Sequence, residues 1–180
     1  MRGHPPIVMT THFDIFGLPP STELDVKALE QKHRELSLEV HPDRVARADA
    51  HTRLKALEQT TALNDAFKVL RDPVRRALYL LKLKGVDLES ESAAAKAQMP
   101  IEFLEEIIER REALEAVKAS KDRQKVRAMA DEVSALKAEA LARAQAALGR
   151  DDVMEASHQL GRVRYFTRFV EEVEAFEEEA

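Results

Sequence analysis

Residues 38–47 read LEVHPDRVAR, and the tripeptide His41-Pro42-Asp43 interrupts a pattern that is otherwise helical. Proline has no amide hydrogen and drives the residue before it out of the α region, so a helix arriving from upstream must end near Val40. Upstream, Val26, Leu29, His33, Leu36 and Val40 recur at intervals of three and four, one buried stripe of a helix that Ser21 or Thr22 can cap. His33 is expected to be a packed member of that stripe, not a ligand. Downstream, HTRLKALEQTTALNDAFKVLRD (51–72) turns Leu63, Ala66, Phe67 and Leu70 inward and stops at Asp72-Pro73. Two long helices joined by roughly ten polar residues pack as an antiparallel pair, which leaves His-Pro-Asp exposed at their common end.

Working outward, Phe13, Ile15, Phe16 and Leu18, closed by Gly17 and Pro19-Pro20, predict one docked helical turn before the pair. VRRALYLLKLKG (74–85) predicts a short helix after it, with Gly85 as a left-handed cap. VDLESESAAAKAQM (86–99) changes texture to Ser, Ala and charge without a strong stripe. The domain division is therefore expected there: 1–87 as one domain, 88–99 as linker, 100–180 as a second. In the second, Pro100 starts a helix through about Ala119 carrying Phe103, Leu104, Ile107, Ile108, Leu114 and Val117. A helix from 122 to 148 follows, with Val126, Met129, Val133, Leu136 and Ala140 as its stripe. The last starts at Asp151 or Asp152 and carries Val153, Leu160, Val163, Phe166, Val170 and Val173. The fold class is all-α: an antiparallel pair with short flanking helices, then a three-helix bundle.

Five glycines, seven prolines and 34% charged residues suit long helices. No cysteine is present, which excludes disulfides and thiolate ligation. Net charge is -5, with 14 basic and 12 acidic side chains in 1–87 and 14 and 21 beyond. An acidic chain with 5% aromatics lacks the basic face and stacking rings of a nucleic-acid binder. The opening MRGHPPIVMTTHFD has too short an apolar run for a signal peptide, and no stretch reaches the ~20 apolar residues of a membrane span. A cytoplasmic protein without membrane partners is expected.

His-Pro-Asp alone can be a solvated turn, but between these two helices the arrangement resembles a J-domain, the co-chaperone module that docks on DnaK-type ATPases. FDIFGLP (13–19), EVHPDR (39–44), LNDAFKVLRDPVRRALYLLKLKG (63–85) and FLEEIIERREALE (103–115) resemble successive blocks of the HscB family, over nearly the whole chain. The resemblance implies an N-terminal J-domain and a C-terminal three-helix domain that work with an HscA-type chaperone and an IscU-type scaffold in iron–sulfur cluster biogenesis. It implies no active site and no cofactor in this chain. With no cysteine to hold a cluster, the scaffold must supply the ligands; the zinc-binding cysteines of some eukaryotic members are missing too, as in bacterial forms.

On that resemblance His41, Pro42 and Asp43 press on the chaperone, with Lys27, Arg34 and Arg44 as a basic accompaniment. Glu35 and Glu39 stand where many J-domains are basic. The scaffold face maps to Leu104, Ile108, Glu109, Arg111 and Glu112, with Tyr165 from the last helix; Glu105 replaces a frequent methionine. The spacing of 104, 108, 111 and 112 supports one face, although Phe103 and Ile107 form a competing stripe and bundle core remains the other reading of Leu104 and Ile108. Two rival functions stand beside this one: a J-domain adaptor for a different client, and an enzyme using His41, Asp43 and His51. No Gly-rich loop, nucleophile elbow or paired-His helix supports the enzyme.

Overall fold

The computed structural model describes residues 10–88 and 99–179. The opening stretch and most of the expected linker, 89–98, lie outside them. Among the described residues there are seven α-helices and no strand: α1 (His12–Phe16), α2 (Val26–Val40), α3 (Ala50–Arg71), α4 (Pro73–Leu83), α5 (Ile101–Ala119), α6 (Arg123–Gly149) and α7 (Val153–Glu179), with a 3-10 turn at Pro42–Val45. None of these helices is long and apolar enough to cross a membrane.

Most of the helices begin where a side chain supplies a hydrogen-bond acceptor; α5, which follows Pro100, has no side-chain cap. Thr11 and Asp14 form a reciprocal capping box on α1, and Gly17, at φ 65°, closes it in the left-handed region. α2 starts later than Ser21 or Thr22 would place it. The Asp25 carboxylate accepts from the amides of Lys27 and Ala28, and a charged acceptor there outcompetes a hydroxyl, while Ser21 spends its oxygen on the amide of Glu23. Asp49 caps α3, Asp122 caps α6, and Asp152 accepts from the amide of Glu155 in the first turn of α7. Gly85, at φ 92°, follows α4 as the expected left-handed cap.

These caps titrate. Hydrogen bonds from Thr52 hold the Asp49 carboxyl below its ordinary value of 3.8, and the amide of Lys125 does the same for Asp122. A carboxyl depressed by folding contributes stability that is complete above its ordinary value and is lost as pH falls through the lower folded value. Asp122→Asn should therefore lower the melting temperature at pH 6, and the gap to the wild type should narrow below pH 3.8. Melts recorded from pH 6 to 2.5 test this, and a gap that stays constant with pH would exclude the carboxylate as its source.

Contacts divide the chain into Met1–Arg76 and Ala77–Ala180. In the first unit α2 and α3 run antiparallel. Thr60 Oγ1 donates to the Val40 carbonyl at 3.2 Å, and one turn and more away His33 stacks on Phe67 with ring centroids 4.1 Å apart. Leu29, Leu63, Ala66 and Leu70 fill the space between them, joined by Phe13 and Phe16 of α1. His33 is a packed residue, as expected, and its Nε2 lies 3.0 Å from Asn64 Oδ1. Val26, by contrast, is exposed, because α2 begins at that residue and has no preceding turn to cover it. Arg76, 5% exposed, donates to the carbonyls of Thr22 and Leu70, tying the segment before α2 to the start of α4; burial lowers its pKa.

In the second unit α5, α6 and α7 form an up-down-up bundle. Arg127 pairs with Glu177 across the antiparallel α6–α7 pair, while Ile107 meets Tyr165 and Lys118 meets Glu172 along the parallel α5–α7 pair. Val126, Val133, Ala140, Leu160, Val163, Phe166 and Val173 are the core. Asp151, at φ 62°, and not Gly149, takes the left-handed position of the last turn. The division by contacts falls inside α4, ahead of the compositional change at 86–99. Lys84 pairs with Asp151, Arg164 donates to the Leu88 carbonyl and Leu88 is 8% exposed, so residues 84–88 pack with the bundle helices.

Candidate functional site

The His-Pro-Asp segment is a short hydrogen-bonded turn. His41 takes φ -59° and ψ 129°, the extended ψ imposed by Pro42, and α2 ends at Val40 for that reason. Pro42 then begins the 3-10 turn with its fixed φ. The Asp43 amide donates to His41 Nδ1 at 3.3 Å, and the Arg44 amide donates to the His41 carbonyl at 3.0 Å. A ring nitrogen that accepts carries no proton, so the 3.6 Å approach of Asp43 Oδ2 to Nδ1 is not an ion pair in this tautomer. The Asp43 side chain is 90% exposed and His41 54% exposed, the carboxylate turned toward solvent.

The basic residues divide. Arg44 folds back and donates to the Leu38 carbonyl at 3.4 Å, on the last turn of α2, where unpaired carbonyls and the negative helix end attract a cation. It holds the turn against α2. Lys27 and Arg34 lie exposed on one line of α2, about 10 Å apart along the axis at 1.5 Å per residue. Glu35 and Glu39 are exposed on the same helix and interrupt a continuous basic face. His51, on the first turn of α3, is exposed. Among the described residues no three His, Asp or Glu side chains converge so as to hold a metal ion.

On α5 the two competing stripes separate. Phe103 and Leu114 are 4% and 0% exposed and point into the bundle, whereas Leu104 and Ile108 are 42% and 57% exposed. Glu109, Arg111 and Glu112 are exposed as well. Tyr165 is different. It is half-buried, its hydroxyl donates to the Ile107 carbonyl at 3.2 Å, and its ring meets Phe103 edge-on at 5.9 Å. Burial pushes that hydroxyl above its usual pKa. The three apolar residues of the expected face differ in setting: Leu104 and Ile108 are exposed, while Tyr165 is half-buried and hydrogen-bonded to α5. Sequence reasoning missed Ile101, which is 68% exposed three residues before Leu104. The interval of three is the signal in the sequence that extends the stripe to Ile101.

With the geometry set, comparison places the chain. Residues 11–79 match the DnaJ domain, and residues 99–174 match the HSCB C-terminal oligomerisation domain. A co-chaperone protein HscB homolog of Vibrio cholerae is 36% identical over 169 residues, covering 93% of this chain and 97% of the relative. The solved structure of chaperone HscB from Vibrio cholerae has a TM-score of 0.79 at 34% identity, covering 94% of this chain and 98% of that one. Human co-chaperone protein HscB gives a TM-score of 0.80 at 27% identity, covering 94% and 83%. A DnaJ domain in front, an HscB domain behind and full-length relatives of the same build carry one conclusion: this chain belongs to the HscB family of J-domain co-chaperones.

Proposed function

We propose that this co-chaperone binds an IscU-type iron–sulfur scaffold through α5 and delivers it to an HscA-type, DnaK-like chaperone, whose ATPase it stimulates through His41-Pro42-Asp43. The observation that carries the reading is the Asp43 carboxylate, 90% exposed on a backbone that the proline and the 3-10 turn already hold in shape. A preshaped turn loses little entropy on docking. Its exposed carboxylate suits a cation on the ATPase, and Lys27 and Arg34 suit acidic groups beside it. Leu104 and Ile108 suit an apolar patch on the scaffold, rimmed by Glu109, Arg111 and Glu112. With no cysteine of its own, the chain leaves the cluster to its client.

One observation favours a different client. Glu105 is exposed beside Leu104, where the resemblance leads one to expect methionine, and it puts a carboxylate against the apolar stripe. ATPase rates of an HscA-type chaperone, with this protein alone and with scaffold added, separate the readings. Synergy between the two supports scaffold delivery, and stimulation indifferent to scaffold supports the other client.

The front of the chain should act alone. Residues 1–87, cut after α4, should still stimulate the chaperone but lose all synergy with the scaffold. Circular dichroism must accompany the assay, since the cut separates Lys84 from Asp151. Stimulation by residues 100–180 instead would assign the wrong end.

A further inference from the structure

The part of α5 that presents Leu104 and Ile108 has no buried residue of its own. Phe103 and Leu114 are 4% and 0% exposed, and every residue from 104 to 113 between them is exposed or half-exposed. Apolar burial thus grips α5 at two points about 16 Å apart at 1.5 Å per residue. Polar ties orient the turns in between. One is the Tyr165 hydroxyl on the Ile107 carbonyl, at 3.2 Å. The other is a chain of alternating charge through all three helices. Arg162 Nη2 of α7 lies 3.3 Å from Glu106 Oε2, Glu106 Oε1 takes Arg110 Nε at 3.1 Å, and Arg110 Nη1 reaches Glu132 Oε1 of α6 at 3.1 Å.

Arg162 also lies over the Phe103 ring at 4.6 Å from its centroid and over Phe166 at 5.5 Å. It is the side chain that touches both the apolar anchor and the charged tie. Its side chain is 29% exposed and Glu106 is 30% exposed, so this pair is screened less than a fully solvated one. The face formed by Leu104 and Ile108 is one residue round the helix, about 100°, from the stripe of Phe103, Ile107 and Leu114. A roll of α5 by a fraction of that angle would swing Leu104 and Ile108 together, so that the face they form no longer points where a partner meets it.

We propose that Arg162 is a positioning residue for scaffold recognition: it sets the roll of α5 about its axis, so that Leu104 and Ile108 face outward together, without itself touching the scaffold. The proposal rests on the scaffold reading of α5. Arginine suits the role because its planar group stacks on the rings while its edge meets the carboxylate, a combination lysine does not reproduce.

Full-length Arg162→Met, Arg162→Lys and Leu104→Ser proteins, titrated with scaffold at low and high salt, test it together with amide exchange on each free protein. Arg162→Met should weaken scaffold binding about tenfold, the loss of roughly one good interaction. It should speed exchange at 104–113 and leave the amides of α6 from Val126 to Ala147 unchanged. Arg162→Lys should recover part of both effects. Wild-type affinity should fall with salt more steeply than that of Arg162→Met. Unchanged affinity in Arg162→Met overturns the proposal. So does weakened binding with unchanged α5 exchange, which would make Arg162 a contact, and so does exchange accelerated equally along α6 and α7, which would make it a general stabiliser. If Leu104→Ser weakens binding and Arg162→Met does not, the positioning role falls alone; if Leu104→Ser has no effect, the scaffold reading falls with it.

Discussion

Asp43→Asn should abolish stimulation of the chaperone ATPase while leaving the protein folded. The substitution keeps the size and shape of the side chain and removes its charge. If Asp43 meets a cation on the ATPase in a desolvated contact, truncating that pair costs ~2–5 kcal/mol, and at 1.4 kcal/mol per factor of ten this is roughly 30-fold or more in affinity. Little of that loss should appear as instability. The side chain is 90% exposed, its amide rather than its carboxylate makes the contact with His41, and surface changes of this kind stay within about 0.5 kcal/mol. Steady-state ATPase rates against co-chaperone concentration, with a thermal melt of the variant, test both halves. Normal stimulation by a folded Asp43→Asn protein would end the case for the turn as the docking element. Arg44→Ala makes a useful contrast. Since Arg44 holds the turn to the Leu38 carbonyl, its loss should reduce stimulation only partly, by letting the turn move.

The double substitution Leu104→Ser and Ile108→Ser should weaken scaffold binding by well over ~2 kcal/mol, more than thirtyfold, as expected for apolar residues at the centre of an interface. Both side chains already face solvent, at 42% and 57% exposure, so the bundle should melt where the wild type does. Ile101, 68% exposed on the same stripe, is the third residue to include. Rim changes at Glu109, Arg111 and Glu112 should cost less and act mainly on the salt dependence of binding. Tyr165→Ala belongs to a different experiment. It removes the bond to Ile107 and the edge-on contact with Phe103, so it should lower the melting temperature and loosen α5 together with any loss of binding. Calorimetric titration of the folded double variant is decisive: unchanged affinity would move the client site off α5.

Much of this was legible in one dimension because it is governed by neighbours in the chain. Pro42 acts on His41 through a covalent bond, so the end of α2 at Val40 needs no tertiary information. The helix spans on either side follow from apolar spacing and from stops at Pro73 and Gly85. The start of α2 was misplaced by a few residues, since Ser21, Thr22 and Asp25 are all competent caps and only the path of the chain shows which carboxylate or hydroxyl meets the free amides. Contacts divide the chain inside α4 while composition shifts at 86–99, for another reason. Composition marks residues 86–99 as unlike their flanks, but the contacts of Lys84 and Leu88 with the rear bundle are long-range and leave no local trace.

By itself, then, the sequence determined an all-α chain, the broken helix at His41-Pro42-Asp43, the exposure of that turn, and the presence of two apolar stripes on α5. It left open which stripe is buried. Phe103/Ile107 and Leu104/Ile108 differ by one residue of helix rotation, and each offers an equal claim on a core. Only the tertiary structure chose, because α7 brings Phe166, Tyr165 and Arg162 to the side of Phe103, where ring contacts and the Glu106 ion pair hold it. The same packing ties Tyr165, which stays partly exposed, to α5. A helix periodicity states that a residue lies on a face; what that face meets is decided by side chains dozens of residues away, whose approach depends on the turn between α6 and α7.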